Sequence, residues 1–401
     1  METMTSRERL LTAYANKQPD RVPATPDLSN MVPCRLEGKP FWDIYFNQNP
    51  PLWKAYIEAI KYFGIDGRFL YGDPQYITNS QVTKEVKLVE KREDYWLART
   101  TYKTPEGDMT KLTHYPVGNS PTETEKVIKD FEKDFKKLKY LFPEITGFDG
   151  TLFKLQRKEL GELGIMITGV ATPGFQNFNQ LFEGSLEATT YAYYDYPELF
   201  EELCEMADRY YVRQAEIAIE AGTDVIQTGG SGSLTMQSPE LWRKLSLPTI
   251  KKITRMCREA GVLSCIHSCG KEYYLVETCY NETDLNSINP LEIAPMGDCT
   301  LKEIKQKFGD RLSLQGNLHT TNVMLYGTVD EVKFESLKAI RDAGIGGGFI
   351  LSTGDQCGRD TPDQNIFAIV ETAKKFGQYP LDLDAINEEI ARLEKKKRAD
   401  S

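Results

Sequence analysis

From Ile165 onward the chain repeats one pattern, a short apolar run followed by a turn and an amphipathic stretch of helical length. This alternation is what βαβ units produce, because a parallel strand can be joined to its neighbour only through a crossover. The punctuation is clear. Asp195 can cap a helix with Pro197 in its first turn, and Leu199, Leu203, Met206 and Tyr210 recur at helical spacing until Gly222 ends it. Ser238, Pro239 and Glu240 open another helix that Gly261 ends. Strands are expected at residues 224–228, 262–267, 284–288, 311–315 and 348–352, with helices at 301–308, 329–343 and 362–376. Counting backward adds a strand at 165–170 and weaker ones at 21–25 and 68–71, the last two separated by a helix at 52–63. Eight parallel strands alternating with helices close naturally into a (β/α)8 TIM barrel, whose functional residues sit in the loops after the C-terminal strand ends. An open doubly wound sheet is the alternative. The GGSGS run after residue 228 does not match G-x-G-x-x-G and is read as loop.

The 401 residues are read as a single barrel domain, 1–401, with an N-terminal extension. Between Gln81 and His114 the hydrophobic period changes to two, and Pro105, Glu106, Gly107 and Asp108 form a turn, so residues 77–120 are expected as a β-rich insertion. The charged stretch 123–139 is expected as a solvated helix around Val127, Ile128, Phe131, Phe135 and Leu138. The tail 393–401, with Lys395, Lys396 and Lys397, reads as a helix end whose cations suit the helix dipole.

A net charge of -10 argues against nucleic acid as a partner. No apolar run approaches the roughly 18 residues of a membrane span, and the start METMTSRERLL carries no apolar signal core, so a cytoplasmic protein is expected, not bound to membranes. Eight cysteines are too few for a disulfide scaffold in a chain this long and are read as core, metal or catalytic thiols. Histidine is scarcer, at positions 114, 267 and 319 only.

The segment Cys265-Ile266-His267-Ser268-Cys269-Gly270 carries the most chemistry. Strand alternation points His267 and Cys269 the same way at the C-terminal end of a barrel strand, where a barrel enzyme keeps its site. Two ligands do not hold zinc, and the loop after the last strand offers Cys357 as a third; three protein ligands with one open position describe a catalytic zinc. H-x-C with a distant cysteine is equally the pattern of a core histidine beside ordinary buried thiols.

The stretches GTDVIQ, SPELWRKLSLPTIKKI, CIHSCG, LSLQGNLHTTNVMLYGT and GGFILSTGDQCGRDTPDQNI resemble, in order and spacing, the uroporphyrinogen decarboxylase superfamily, most clearly between Gly222 and Glu371. The resemblance implies a (β/α)8 barrel. Decarboxylases of that superfamily use an arginine-rich N-terminal segment to bind a porphyrinogen, yet here Arg21 is followed by no arginine before Arg35. His267, Cys269 and Cys357 instead resemble the zinc motif of the corrinoid-dependent methyltransferases, and are the expected catalytic and metal residues. The branch implies Zn2+ and a corrinoid; with no D-x-H-x-x-G motif here, the corrinoid is expected on a separate protein, docking near residues 229–233 and 354–360. The run from Asn289 to Glu292 with Pro295 to Asp298 resembles the methyl-ether branch, implying an O-demethylase that passes methyl from a methoxylated aromatic or similar small donor to Co(I). The alternative is transfer from the methylcorrinoid protein to a thiol such as coenzyme M, or to tetrahydrofolate; a decarboxylase and a non-catalytic binding barrel rank below.

Softer candidates complete the set. Phe175, Asn177 and Asn179 follow a strand and interleave aromatic with amide groups, suiting a small aromatic ligand or plain packing. Asn317 and His319 follow the seventh strand and are candidates for substrate or partner. Asp27, Asp73 and Glu183 lie near strand ends, with Asp27 taken as substrate-binding and Glu183 as a further oxygen ligand to the metal. The acceptor, the donor and a homo-oligomer are left open.

Overall fold

The computed structural model describes residues 3–400. Thirteen strands form three sheets among these residues. The main one is parallel and curled, of seven strands in the order β1 (Gly67–Phe69), β8 (Gly164–Gly169), β9 (Val225–Gly229), β10 (Leu263–His267), β11 (Ser287–Asn289), β12 (Ser313–Leu318) and β13 (Phe349–Thr353). This is the α/β, TIM-barrel-like fold expected from the alternation.

The eighth expected strand, at 21–25, is reduced to two isolated bridges, a parallel one between Ala24 and Leu351 and an antiparallel one between Arg21 and Gln378. Pro23 and Pro26 remove two amide donors from that stretch, so a regular ladder cannot form. It still fills the gap between the outer strands: Thr25 N–H donates to Leu351 O and Leu351 N–H to Pro23 O, both at 2.9 Å, while Asp66 N–H reaches Ala24 O at 2.9 Å.

The helix Ser6–Tyr14 packs Leu10, Ala13 and Tyr14, one face at i, i+3 and i+4, against Ile165, Ile167, Val225, Cys265 and Ile350 and so plugs the barrel. Buried Arg9 and Arg21 anchor it: Arg9 pairs with Asp20 and Asp66 at 2.7 Å, and Arg21 with Asp66 at 2.8 Å. A larger core lies between the strands and the outer helices. The helix from Ser238 is two: Ser238 caps Pro239–Leu245, and a second helix, Leu247–Ala260, starts where Pro248 lies in the first turn.

The alternating stretch is a four-stranded antiparallel sheet of β3 (Thr83–Lys91), β4 (Tyr95–Thr104), β5 (Gly107–Pro116) and β6 (Thr122–Glu125). Thr104 pairs with Gly107 across a two-residue hairpin, and Gly107 takes φ +112° there. A two-stranded sheet joins β2 (Tyr76–Thr78) to β7 (Ile145–Phe148). The helix expected over 123–139 begins only at Phe131, where the Asp130 carboxylate caps it; the preceding residues belong to β6 and a link. The C-terminal helix Leu383–Asp400 holds Lys396 and Lys397 against Asp330 and Glu331 at 2.6 and 3.0 Å; Ser401 lies outside the described residues. No helix among the described residues is long and apolar enough to cross a membrane.

Candidate metal centre

His267 ends β10, and the parallel register sets it opposite Gly229 on one side and Asn289 on the other. Its Nε2 lies 3.2 Å from Cys269 Sγ. Asn289 Oδ1 lies 2.8 Å from Nδ1, while the Asn289 amide nitrogen donates to Ile266 O at 3.1 Å. The amide is thereby oriented with its oxygen toward the ring. His267 carries its proton on Nδ1, and the Nε2 lone pair faces Cys269, as metal ligation requires.

The third member of this cluster is Asp355. The ligand atoms of His267, Cys269 and Asp355 lie within 4.8 Å of one another, and all three residues are half-buried. Cys357 stands two residues further on and outside that cluster. It is fully buried, and its N–H donates to Asp27 O at 2.7 Å, which holds the thiol in the core beneath the loop. The structure therefore brings together two of the three expected ligands and adds a carboxylate. Glu183 is elsewhere, half-exposed and paired with Lys129 at 2.8 Å.

A nitrogen, a sulfur and an oxygen donor fit a tetrahedral zinc, whose ~2.0–2.3 Å bonds set neighbouring ligands ~3.3–3.8 Å apart. Burial, and then the Asp355 carboxylate, push the Cys269 thiol well above its ordinary range. An adjacent dication reverses that balance and favours the thiolate. Ser231 closes the group, its Oγ lying 3.2 Å from His267 Nε2 and 3.4 Å from Cys269 Sγ. The glycine-rich loop after β9 makes this approach feasible. Gly229 has φ +94°, and a Cβ there would stand 2.8 Å from His267 O, the carbonyl that accepts from Gly230 N–H at 2.9 Å.

The loop after β11 supports the cluster from outside. Glu292 Oε2 accepts from Gly270 N–H at 2.5 Å, and Asp298 Oδ1 accepts from Glu272 and Tyr273 N–H at 2.8 and 3.0 Å. Glu272 is fully buried, and burial, reinforced by the neighbouring Glu292 and Asp298 carboxylates, holds its pKa well above the usual range.

The other expected residues take structural positions. Phe175 is buried against Tyr193 and Phe200 in edge-to-face contacts. Asn177 donates to Thr172 O and Gly229 O, and Asn179 to Phe175 O and Gln176 O, fixing the loop after β8. Asn317 donates to Leu291 O at 2.8 Å, and His319 Nδ1 accepts from Thr321 and Asn322 N–H, capping the next helix. Both line a cavity of about 380 Å³ that none of the three cluster residues lines. Asp73 binds Gln75 N–H within its own turn. Asp27 joins the first and last barrel elements, its N–H donating to Thr353 Oγ1 at 3.0 Å. Sequence reasoning missed Asn289, Ser231 and Asp355. Only Asp355 carried a readable signal, as the acid directly after the Gly354 that follows β13.

The polar cluster lies at the C-terminal ends of the strands of a curled parallel sheet, and the chain belongs to the uroporphyrinogen decarboxylase (URO-D) family, whose model matches residues 101–376. Within that family it is related to methylcobamide:CoM methyltransferases. It is 27% identical over 181 residues to MtaA of Methanosarcina barkeri, covering 45% of this chain and 50% of that one. It is 26% identical over 270 residues to MtbA of Methanosarcina mazei, covering 64% and 72%. A uroporphyrinogen decarboxylase from Crocosphaera subtropica is 26% identical over 162 residues, covering 40% and 43%. The chain thus spans about half the length of the first of these relatives. A solved methyltransferase from Methanosarcina mazei superposes with a TM-score of 0.63 at 17% identity over 93% of this chain and 99% of its own, which is a likeness of fold.

Proposed function

We propose that this chain is the methyltransferase of a corrinoid system that moves a methyl group from the methylated corrinoid of a separate protein to a small thiol, at a zinc site made by His267, Cys269 and Asp355. The observation that carries the reading is the convergence of one nitrogen, one sulfur and one oxygen donor at the barrel mouth. The relatives named as methylcobamide:CoM methyltransferases favour the acceptor direction. Zinc, when bound, supplies a Lewis acid that lets the acceptor sulfur ionise near neutral pH.

The residues divide the remaining work. Asn289 keeps the His267 proton on Nδ1, so that Nε2 stays a ligand as the site turns over. Cys269 and Asp355 contribute negative charge, which tempers the metal's acidity and balances its dication. The glycine-rich loop 229–233 and the loop 354–360 frame the mouth from opposite sides, where the partner's corrinoid face would dock. A methylated corrinoid docked there would supply the methyl group to the acceptor sulfur, which gives up its proton to solvent, and the pair of the broken corrinoid–carbon bond would stay with the corrinoid.

Methyl-ether demethylation, expected from the run 289–298, gives way to this reading. Asn289 orients His267, Glu292 binds Gly270 and Asp298 caps the helix at Tyr273. These are supports that either direction of transfer requires, so they do not select a methoxylated donor. The deciding experiment follows the cobalamin spectrum of the zinc-loaded enzyme. Loss of methylcobalamin on adding a thiol is expected. Methylcobalamin formation from reduced cobalamin and a methoxylated aromatic, with no reaction toward any thiol, would restore the donor-side reading.

A further inference from the structure

The cavity of about 380 Å³ that Asn317 and His319 line lies between the loop after β11, the end of β12 and the helix Val329–Ala343, and no residue of the metal cluster borders it. Its volume is within the ~300–1,000 Å³ of small-molecule sites. The walls are aliphatic, from Ile293, Leu301, Leu318, Val323 and Ala339. Against them stand a few polar groups, three of which offer an atom that the fold leaves without a partner.

His319 is only 8% exposed. Its Nδ1 accepts from Thr321 N–H at 3.1 Å and from Asn322 N–H at 3.0 Å, so the ring proton is on Nε2, and no described residue accepts it. Asn317 is 9% exposed; its amide nitrogen is engaged by Leu291 O, and its Oδ1 receives no hydrogen bond from a described residue. At the rim Asp342 takes the Arg341 guanidinium on Oδ1 at 2.8 Å and leaves Oδ2 open, whereas Glu335 and Lys338 satisfy each other at 2.9 Å.

Side chains buried to this depth are normally paired within the fold. The two that are not state what a ligand must bring: an acceptor for His319 Nε2–H and a donor for Asn317 Oδ1. The walls ask for an apolar body, and Asp342 Oδ2 for a hydroxyl or amine. Adenosine supplies all four. Its base carries a ring-nitrogen acceptor beside an exocyclic amine donor on one edge, and carboxylates are the usual partners of ribose hydroxyls. A phosphate is a poor occupant, because it would meet Asp342 and Glu335 with one ammonium, Lys338, that Glu335 already holds.

We infer that this cavity is a binding site for an uncharged adenosine group, with the adenine edge on His319 and Asn317 and the ribose toward Asp342. The site is separate from the proposed metal centre and does not rest on that reading. Backbone joins the two: Leu318 O accepts from Gly354 N–H at 2.7 Å, and Asp355 is the next residue.

The test is calorimetric titration of adenosine, inosine and AMP into the full chain, metal-free and zinc-loaded. Adenosine is expected to bind both forms, with a Kd below about 1 mM. Inosine, whose O6 sets an acceptor against Asn317 Oδ1, and AMP, whose phosphate meets the acidic rim, should each bind at least about tenfold more weakly. His319→Asn keeps a side-chain oxygen to cap the following turn but removes the Nε2–H donor, so it should weaken adenosine about tenfold with Tm unchanged. Asp342→Asn should narrow the preference for adenosine over AMP to below about threefold. No adenosine binding up to about 5 mM would overturn the site. So would inosine or AMP binding as well as adenosine, or a folded His319→Asn that binds like wild type. Should that variant fail to fold, the wild-type comparison of adenosine with inosine decides alone. Adenosine binding that zinc abolishes would place the ligand at the metal cluster and equally overturn the assignment, while failure of the metal centre itself leaves the titrations of metal-free protein unaffected.

Discussion

Asn289 Oδ1 stands 2.8 Å from His267 Nδ1, and the two residues are partners in the register of β10 and β11. The sheet itself therefore decides which histidine nitrogen is free. Asn289→Ala should leave the fold intact and weaken zinc affinity by about 10–100-fold, the usual cost of losing an outer partner of a metal-ligating histidine. Competition with a chromophoric chelator measures this directly. Unchanged affinity would show that the ring needs no such orientation.

Asp355 and Cys357 make opposite predictions. Asp355→Ala and Cys269→Ala should each lose stoichiometric zinc, because each removes an atom of the converging set. Cys357→Ala should keep it, since that thiol is buried outside the cluster beside Asp27. Elemental analysis of the purified variants decides, and retention by Asp355→Ala with loss by Cys357→Ala would exchange the two roles.

Glu272 should make stability depend on pH in a particular direction. Its pKa is raised by burial in the folded state, so above about pH 4.3 the unfolded chain has released a proton that the folded chain keeps. Stability due to this group is then present at low pH and declines as pH rises, by about 1.4 kcal/mol per unit until the raised pKa is reached. Glu272→Gln keeps the neutral shape and abolishes that decline. Urea unfolding of both proteins at pH 4 and pH 8 should show near-equal stability at the first and a more stable variant at the second.

Asp66 holds Arg9, Arg21 and the Ala24 N–H together beneath the barrel. Asp66→Ala removes one carboxylate partner from each of two buried guanidinium groups and should cost about 3–5 kcal/mol, the usual penalty for removing one partner of a buried ionic network. Denaturant unfolding measures it. A loss below 1 kcal/mol would mean that the remaining partners of the arginines suffice.

The βα alternation was readable because burial on both faces writes continuous apolar runs into each strand, and the helix stops at Gly222 and Gly261 follow from their left-handed conformations. The weak strand at 21–25 was readable as apolar, but not as a bridge, because the effect of Pro23 depends on which neighbour needs its missing donor. The pair His267 and Cys269 is local and follows from strand alternation. Asp355 and Asn289 are not local: one depends on how a seven-residue loop folds back, the other on register between strands 22 residues apart. Phe175 shows the converse, an aromatic beside amides that looks like a pocket until the packing of Tyr193 and Phe200 is known.

The seam between the first and last barrel elements has a consequence for how the molecule comes into being. Ser352 Oγ donates to Thr25 O at 2.7 Å across a separation of 327 residues, and the backbone bonds beside it join the same two segments. A nascent chain leaving the ribosome has no partner for that edge until the strand Phe349–Thr353 emerges. The mouth that frames His267, Cys269 and Asp355 is therefore completed only once that strand has been made, and until then the growing sheet carries an open edge that pairing with another chain could satisfy.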